Sequence, residues 1–350
     1  MYIFVIFTFV VFYWVSVMSV GQKPKIQRYM LIVSCLILAF LAGFRDPDRW
    51  ADTSVYIDDF EYYTNPLYKF SLNDQPFGYA ERGFHFLGSI VKTFTDNATI
   101  YLISISALTF FFIYKSIDKY CIFPLLGLCD YIARFILNRN FIQIRSALAI
   151  AIIIFGIQYA YKRDWHKYFI FVAVAYLFHH IAILAVPFYF FNKVQFSKSQ
   201  IVKGLLFSVF LAVFFSSSIS GYVENWSTDM DYSNYTGAEY QNEDLGIANP
   251  MIYFQIIILL IFTFNEKKLC IADKYYYLYR NAYFFSTLIL ITFCKYTALS
   301  GRTSTMFATV EISIIPLLAK MYKKRERYIF YIALCILLTG FFYLKLRPAN

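Results

Sequence analysis

Long apolar stretches alternate along this chain with short, mostly basic connections, and within each stretch the apolar residues are continuous rather than every second one. Runs of this kind read as helices that cross a bilayer, since about 20 residues rising ~1.5 Å each cover ~30 Å of hydrocarbon. A transmembrane barrel needs alternating segments of roughly ten residues and is excluded. The runs predict membrane helices near 2–20, 29–44, 97–114, 121–137, 141–161, 204–219, 250–264, 281–297, 303–319 and 328–344. Two pieces are unusual. Segment 83–95, broken by Lys92 and Asp96-Asn97, reads as interfacial or re-entrant. Segment 168–191 is basic on both flanks, so a single crossing inverts every later loop. Two half-helices of about 11 residues that enter and leave one face resolve this, and carry the Phe178-His179-His180 turn deep into the membrane or near its outer surface. The first 20 residues hold no charge and no small-residue cleavage site, which reads as a retained first span rather than a cleaved signal.

Composition sharpens the picture. The 350 residues are 59% hydrophobic and 15% charged, against roughly 45–50% and 25% in soluble domains. The expected fold class is all-α: one polytopic integral membrane domain over 1–350, with about 10–11 transmembrane helices. The formal charge of +10 does not point to nucleic acid, because most basic residues lie in short loops between apolar runs, including those around Lys162 and Arg163, Lys267 to Arg280, and Lys320 to Arg327. By the positive-inside rule these loops face the cytoplasm. The connections 45–82 and 220–249 hold eight and six acidic residues against four and no basic ones, and are expected to be extracytoplasmic loops. Six cysteines without CxxC spacing give no disulfide framework or metal site.

A charge at membrane depth costs ~2.5–3.5 kcal/mol on insertion scales, so each needs a partner, a route to water or a chemical role. Arg145, near the outer end of its helix with Gln143 close by, either snorkels to the headgroups or aims a guanidinium fork at a phosphate or carboxylate. Asp130 and Arg134 have the i, i+4 spacing of an intrahelical pair, and Lys295 is within reach of Glu311. His179 and His180 are adjacent, and on a helix they diverge by about 100°, which does not suit chelation. No metal is expected there, and one imidazole is either a structural group or a general acid or base. In the first loop Asp52 can cap a short helix and share a face with Tyr56 and Phe60. Asn97, Asn225 and Asn234 begin N-x-S/T triplets.

These residues resemble the EpsG-type, Wzy-like polymerases of bacterial surface polysaccharide. The family's G-x-R before a D-T-x-x-Y loop is matched by Gly43-Phe44-Arg45 and Asp52-Thr53-Ser54-Val55-Tyr56, its E-x-G-F by Glu81-Arg82-Gly83-Phe84, and its I-R-x-x-L-A helix by Ile144 to Ala149. Ala175 to Ala182 is similar to its A-x-x-F-H-x-S-A stretch, with Ile181 in place of serine, and Gly301 to Phe307 approaches R-x-x-x-Y-F with Met306 in place of tyrosine. The resemblance implies a glycosyltransferase that joins polyprenyl-diphosphate-linked oligosaccharide repeat units into O-antigen, capsule or exopolysaccharide at the outer face of the bacterial cytoplasmic membrane, with no cofactor and a chain-length regulator as partner. In that reading Arg145 and Arg45 hold the diphosphate leaving group, and His179 or Asp52 takes the proton of the attacking hydroxyl. Arg302, Tyr56, Glu81, Gln143 and His180 contact substrate. The rival readings are an O-antigen ligase or other lipid-linked sugar transferase, and a flippase, which would show paired repeats and midplane charges that this chain lacks.

Overall fold

The computed structural model describes residues 24–50, 52–73, 81–215, 246–323 and 325–346. The first expected span, 2–20, and most of the second acidic loop, with Asn225 and Asn234, lie outside the described residues. Every regular element among the described residues is helical, and the chain is a polytopic membrane protein. The helices used below are α1 (Pro24–Gly43), α2 (Thr53–Asp58), α3 (Arg82–Lys92), α4 (Ala98–Tyr120), α5 (Pro124–Tyr131), α6 (Ile144–Tyr161), α7 (Trp165–Phe178), α8 (Lys198–Phe214), α9 (Pro250–Phe264), α10 (Glu266–Ala272), α11 (Tyr276–Thr292), α12 (Thr297–Ala308), α13 (Glu311–Leu318) and α14 (Arg327–Leu346). Among the described residues α1, α4 and α6 are each long and apolar enough to cross a bilayer, while α7, α9 and the Arg327–Tyr343 stretch of α14 are shorter apolar helices.

Residues up to Tyr189, together with Ile315 onward, form one compact unit, and Phe190–Ile314 forms a second. In the first, α6 packs against both α4 and α7 and is buried on nearly every side, as its all-round apolar sequence requires. Helix α4 also packs along α1, where a Cβ on Gly43 would lie 2.7 Å from the Ile103 Cα. Helix α3 meets α7 in the same way, because a Cβ on Gly83 would lie 2.9 Å from the Leu177 carbonyl oxygen. The glycines of the G-x-R and E-x-G-F segments are therefore points of backbone contact.

Helix starts follow local hydrogen bonding more closely than hydropathy. Asn97 caps α4 by accepting from the Thr99 and Ile100 amides, which gives the first N-x-T triplet a structural task. Ser197 and Gln200 form a reciprocal capping box, so α8 begins several residues before its apolar run. The expected helix 121–137 is instead α5 followed by a π-helical stretch, Ile132–Ile142. Asp130 at the end of α5 and Arg134 in the π-helical stretch are both buried. Helix α7 ends at His179, whose backbone is extended, and a 3-10 turn runs over His180–Ala185. The two ends of this segment meet: the Arg163 guanidinium donates to the Tyr189 carbonyl, and the Tyr189 hydroxyl donates to the Arg163 carbonyl at 3.3 Å.

In the second unit α11 packs against α8, α9 and α12. Arg280 is not a solvated loop cation but a fully buried residue of α11. It lies against the Tyr276 and Tyr277 rings and donates to Glu266 at 3.1 Å and to the Phe196 carbonyl at 2.8 Å. Glu311 does not rely on Lys295, which is exposed; its buried carboxylate accepts from the Tyr283 hydroxyl at 2.7 Å. The chain bends by 52° between Ala308 and Glu311, dividing the expected helix 303–319 into α12 and α13.

The close backbone approaches make a direct prediction. Gly43→Val and Gly83→Val each force backbone atoms apart and should cost about 1–3 kcal/mol, read as a lower melting temperature of the purified protein in detergent. Gly340→Ala, inside α14 where a Cβ meets nothing within 4 Å, should not lower it and, by the better helix propensity of alanine, should raise it slightly.

Candidate functional site

An aromatic core in the first unit fixes the elements that carry charge. Tyr56 and Phe60 from the first acidic loop, Phe84 from α3, Tyr101 from α4 and Ile144 from α6 belong to one buried cluster, in which Phe60 stacks on Tyr101 with ring centroids 4.4 Å apart. Glu81 immediately precedes α3 and Arg145 is the second residue of α6, so packing at Phe84 and Ile144 also sets the positions of these two side chains.

Arg145 Nη1 donates to Glu81 Oε2 at 2.6 Å, between side chains that are 15% and 8% exposed. The other carboxylate oxygen, Oε1, accepts no hydrogen bond and lies 3.6 Å from His180 Nδ1 and 3.9 Å from His179 Nε2. The extended backbone at His179 turns both rings to the same carboxylate, with ring centroids 4.5 Å apart. The divergence expected of two adjacent histidines on a helix therefore does not occur. Burial pushes the Glu81 carboxyl up to about 7, against the opposing pull of Arg145.

Arg45 is buried, at 3% exposure, and donates to Thr53 Oγ1 (2.9 Å), the Ala42 carbonyl (3.1 Å) and the Asn140 carbonyl (3.3 Å). Thr53 thus joins the D-T-x-x-Y segment to the arginine of G-x-R. The three acceptors are neutral, and Arg45 Nη2 is buried without a hydrogen-bond partner. The Arg145 guanidinium lies 5.6 Å from the centroid of the Tyr56 ring, and the fully buried Tyr101 hydroxyl feels Arg145, Arg45, Tyr56 and Asp59 together. Asp59 is itself buried, bonded by Thr64, and raised by desolvation to about 7.

Six of the site residues expected from sequence are therefore neighbours: Arg145, Glu81, His179 and His180 in direct contact, Tyr56 against Arg145, and Arg45 linked through Tyr56 and Tyr101. Gln143 stands at the N-terminal boundary of α6, where its carbonyl accepts from Ser146 Oγ and the Ala147 amide. Asp52 departs from expectation. It is exposed, its side chain caps nothing, and its φ of 66° puts it in the left-handed region, with only its carbonyl serving α2. Arg302 belongs to α12 in the second unit. Sequence reasoning passed over Asp59, Thr53 and Tyr101. The signal for Asp59 was its i+3 spacing from Tyr56, which keeps it on the buried face while Asp58 points to water.

Glu81, His179 and His180 present three potential ligand atoms within 4.8 Å of one another. As bonded here, however, His179 does not offer a lone pair to that point. Its Nδ1 accepts from the Ile181 amide at 3.1 Å, and an amide only donates, so the proton of the neutral ring sits on Nε2. Ligating histidines show the reverse pattern, donating through the second nitrogen. The Arg145 charge on the same carboxylate also opposes a cation. The arrangement suits proton exchange and anion contact better than chelation.

The chain is 23% identical over 329 residues to the amylovoran biosynthesis protein AmsC of Erwinia amylovora, covering 89% of this chain and 84% of that one. No solved structure matches the chain. The EpsG family model matches residues 28–350, which takes in Arg45, Tyr56, Glu81, Arg145, both histidines and Arg302. The chain belongs to the EpsG family.

Proposed function

We propose that this protein is a polysaccharide polymerase, a glycosyltransferase that joins polyprenyl-diphosphate-linked oligosaccharide repeat units at the outer face of the bacterial cytoplasmic membrane. Family membership and the biosynthetic name of the relative support polysaccharide assembly. The observation that carries the reading is the meeting of three distant motif segments at one buried carboxylate, with Arg145 from I-R-x-x-L-A and His179 and His180 from the histidine stretch all directed at Glu81 of E-x-G-F.

Glycosyl transfer from a lipid diphosphate breaks the bond between the sugar C1 and the phosphate oxygen and leaves charge on the diphosphate. Fixed guanidinium groups in a water-poor site stabilise that charge without reorganisation. Arg45 is suited to the task because a buried cation surrounded by neutral acceptors is expensive until an anion arrives. Arg145 lies in the first turn of α6, an end whose dipole disfavours a cation and favours an anion, so its demand for a counterion is strong. The scarcity of basic residues in both long connections, none in 220–249 and four in 45–82, supports an extracytoplasmic location. A chain-length regulator completes the reading as partner.

Deletion of the gene should leave single repeat units on their lipid-linked carrier or core when surface glycan is resolved on a gel; loss of a ligase or a flippase leaves none. Arg145→Ala should reproduce the deletion pattern at unchanged protein level, with elongation reduced roughly 100-fold or more. Retention of long glycan overturns the reading. Arg45→Lys should also shorten the glycan markedly, since an ammonium cannot keep all three of the anchoring bonds in a planar fork.

A further inference from the structure

Transfer of a sugar to a hydroxyl requires a proton acceptor, and the geometry narrows the choice. His179 faces Glu81 with an N–H, because its Nδ1 already accepts from Ile181. Asp52 is exposed and caps nothing. Asp59 has one carboxylate oxygen in contact with the Thr64 hydroxyl, which also bonds the Asp59 carbonyl. Glu81 has one oxygen bound to Arg145 and the other without a hydrogen bond, in front of His180 Nδ1.

We propose that Glu81 is the catalytic base of the transfer, and that Arg145 masks it until the donor diphosphate replaces it as the guanidinium's counterion. This deepens the polymerase reading and rests on it. Glu81 and Arg145 neutralise each other at 2.6 Å. A diphosphate carries more charge than a carboxylate and accepts the same planar fork, so it takes Arg145 over. Two effects act on Glu81 in opposite directions, burial raising its proton affinity and Arg145 lowering it. Removing the second leaves the first, and the carboxylate becomes a stronger base only once the leaving group is in place. The acceptor hydroxyl oxygen then bonds to the donor C1 while the C1–O bond to phosphorus breaks. The electron pair leaves with the polyprenyl diphosphate, and the hydroxyl proton passes to Glu81 Oε1. From there His180 Nδ1, on a side chain 48% exposed, leads to water.

The test uses the purified full chain in detergent, farnesyl diphosphate as probe, and glycan length in cells. Glu81→Gln removes the internal competitor without changing size. It should bind the probe about tenfold more tightly than wild type, equivalent to ~1.4 kcal/mol, while polymer falls to the single unit. Saturating probe should restore its melting temperature towards that of wild type, separating loss of the base from loss of fold. A merely structural Glu81 gives the opposite result, with binding and polymer weakened together. Unchanged or weaker probe binding in Glu81→Gln, or long glycan in cells carrying it, overturns the proposal. If deletion of the gene leaves glycan length untouched, the polymerase reading itself fails; deletion-dependent glycan that keeps its length in Glu81→Gln overturns only the role of Glu81. Among the described residues the titrating groups that face Glu81 are Arg145, His179 and His180, with Asp59 also in the field of Arg145. The ratio kcat/KM, which reports the free enzyme, should rise with pH through about 7 as the carboxyl ionises, and this limb should be absent in Glu81→Gln.

Discussion

A buried ion pair between Arg145 and Glu81 is the constraint around which the first unit is organised. Taking two charges out of water costs several kcal/mol each before their attraction repays it, and an apolar pair of equal volume often serves stability as well or better. A chain that is 59% hydrophobic has many apolar side chains to use there. Keeping an arginine at the N-terminal end of α6, with a glutamate as its counterion, makes physical sense if the cation is needed for an external anion and the anion for a proton. Under the proposal the pair supplies both halves of a charge balance that substrate alters.

The surroundings keep that balance from relaxing. Glu81 and Arg145 belong to elements locked by the same aromatic core. Gly43 and Gly83 allow α1 to approach α4 and α3 to approach α7 at backbone distance. The paired bonds between Arg163 and Tyr189 close the base of the segment whose far end carries the histidines. Arg45 is fixed from a different direction by Thr53 and the Asn140 carbonyl. Arg45 and Glu81 are each held by contacts that use only part of the polar group, an arrangement that leaves binding capacity in a rigid frame.

Much of this was legible in the sequence, for reasons that also mark its limit. Continuous apolar runs gave the all-helical membrane fold, because hydropathy is a sum over neighbours along the chain. Order and spacing of motifs singled out Arg45, Tyr56, Glu81, Arg145 and the histidine pair as candidates, and the fold brings them together. What periodicity could not supply was how charges are shared. The change from α to π winding at Ile132, between Asp130 and Arg134, leaves no mark in the hydropathy. Lys295 looked like the partner of Glu311, which instead takes a phenol from α11. The two histidines looked divergent because a helix was assumed where the backbone is extended at His179. Asp52 and Asp59 lie seven positions apart in one acidic loop, and only tertiary packing distinguishes the exposed acid from the buried one.

Because the account depends on an exchange of counterions, a structure of the protein with a bound prenyl diphosphate tests it most directly. Guanidinium nitrogens of Arg145 should lie about 2.7–2.9 Å from phosphate oxygens, with the Glu81 carboxylate released from contact and turned to the acceptor side. A diphosphate bound elsewhere, with the Arg145–Glu81 bond unchanged, would contradict it.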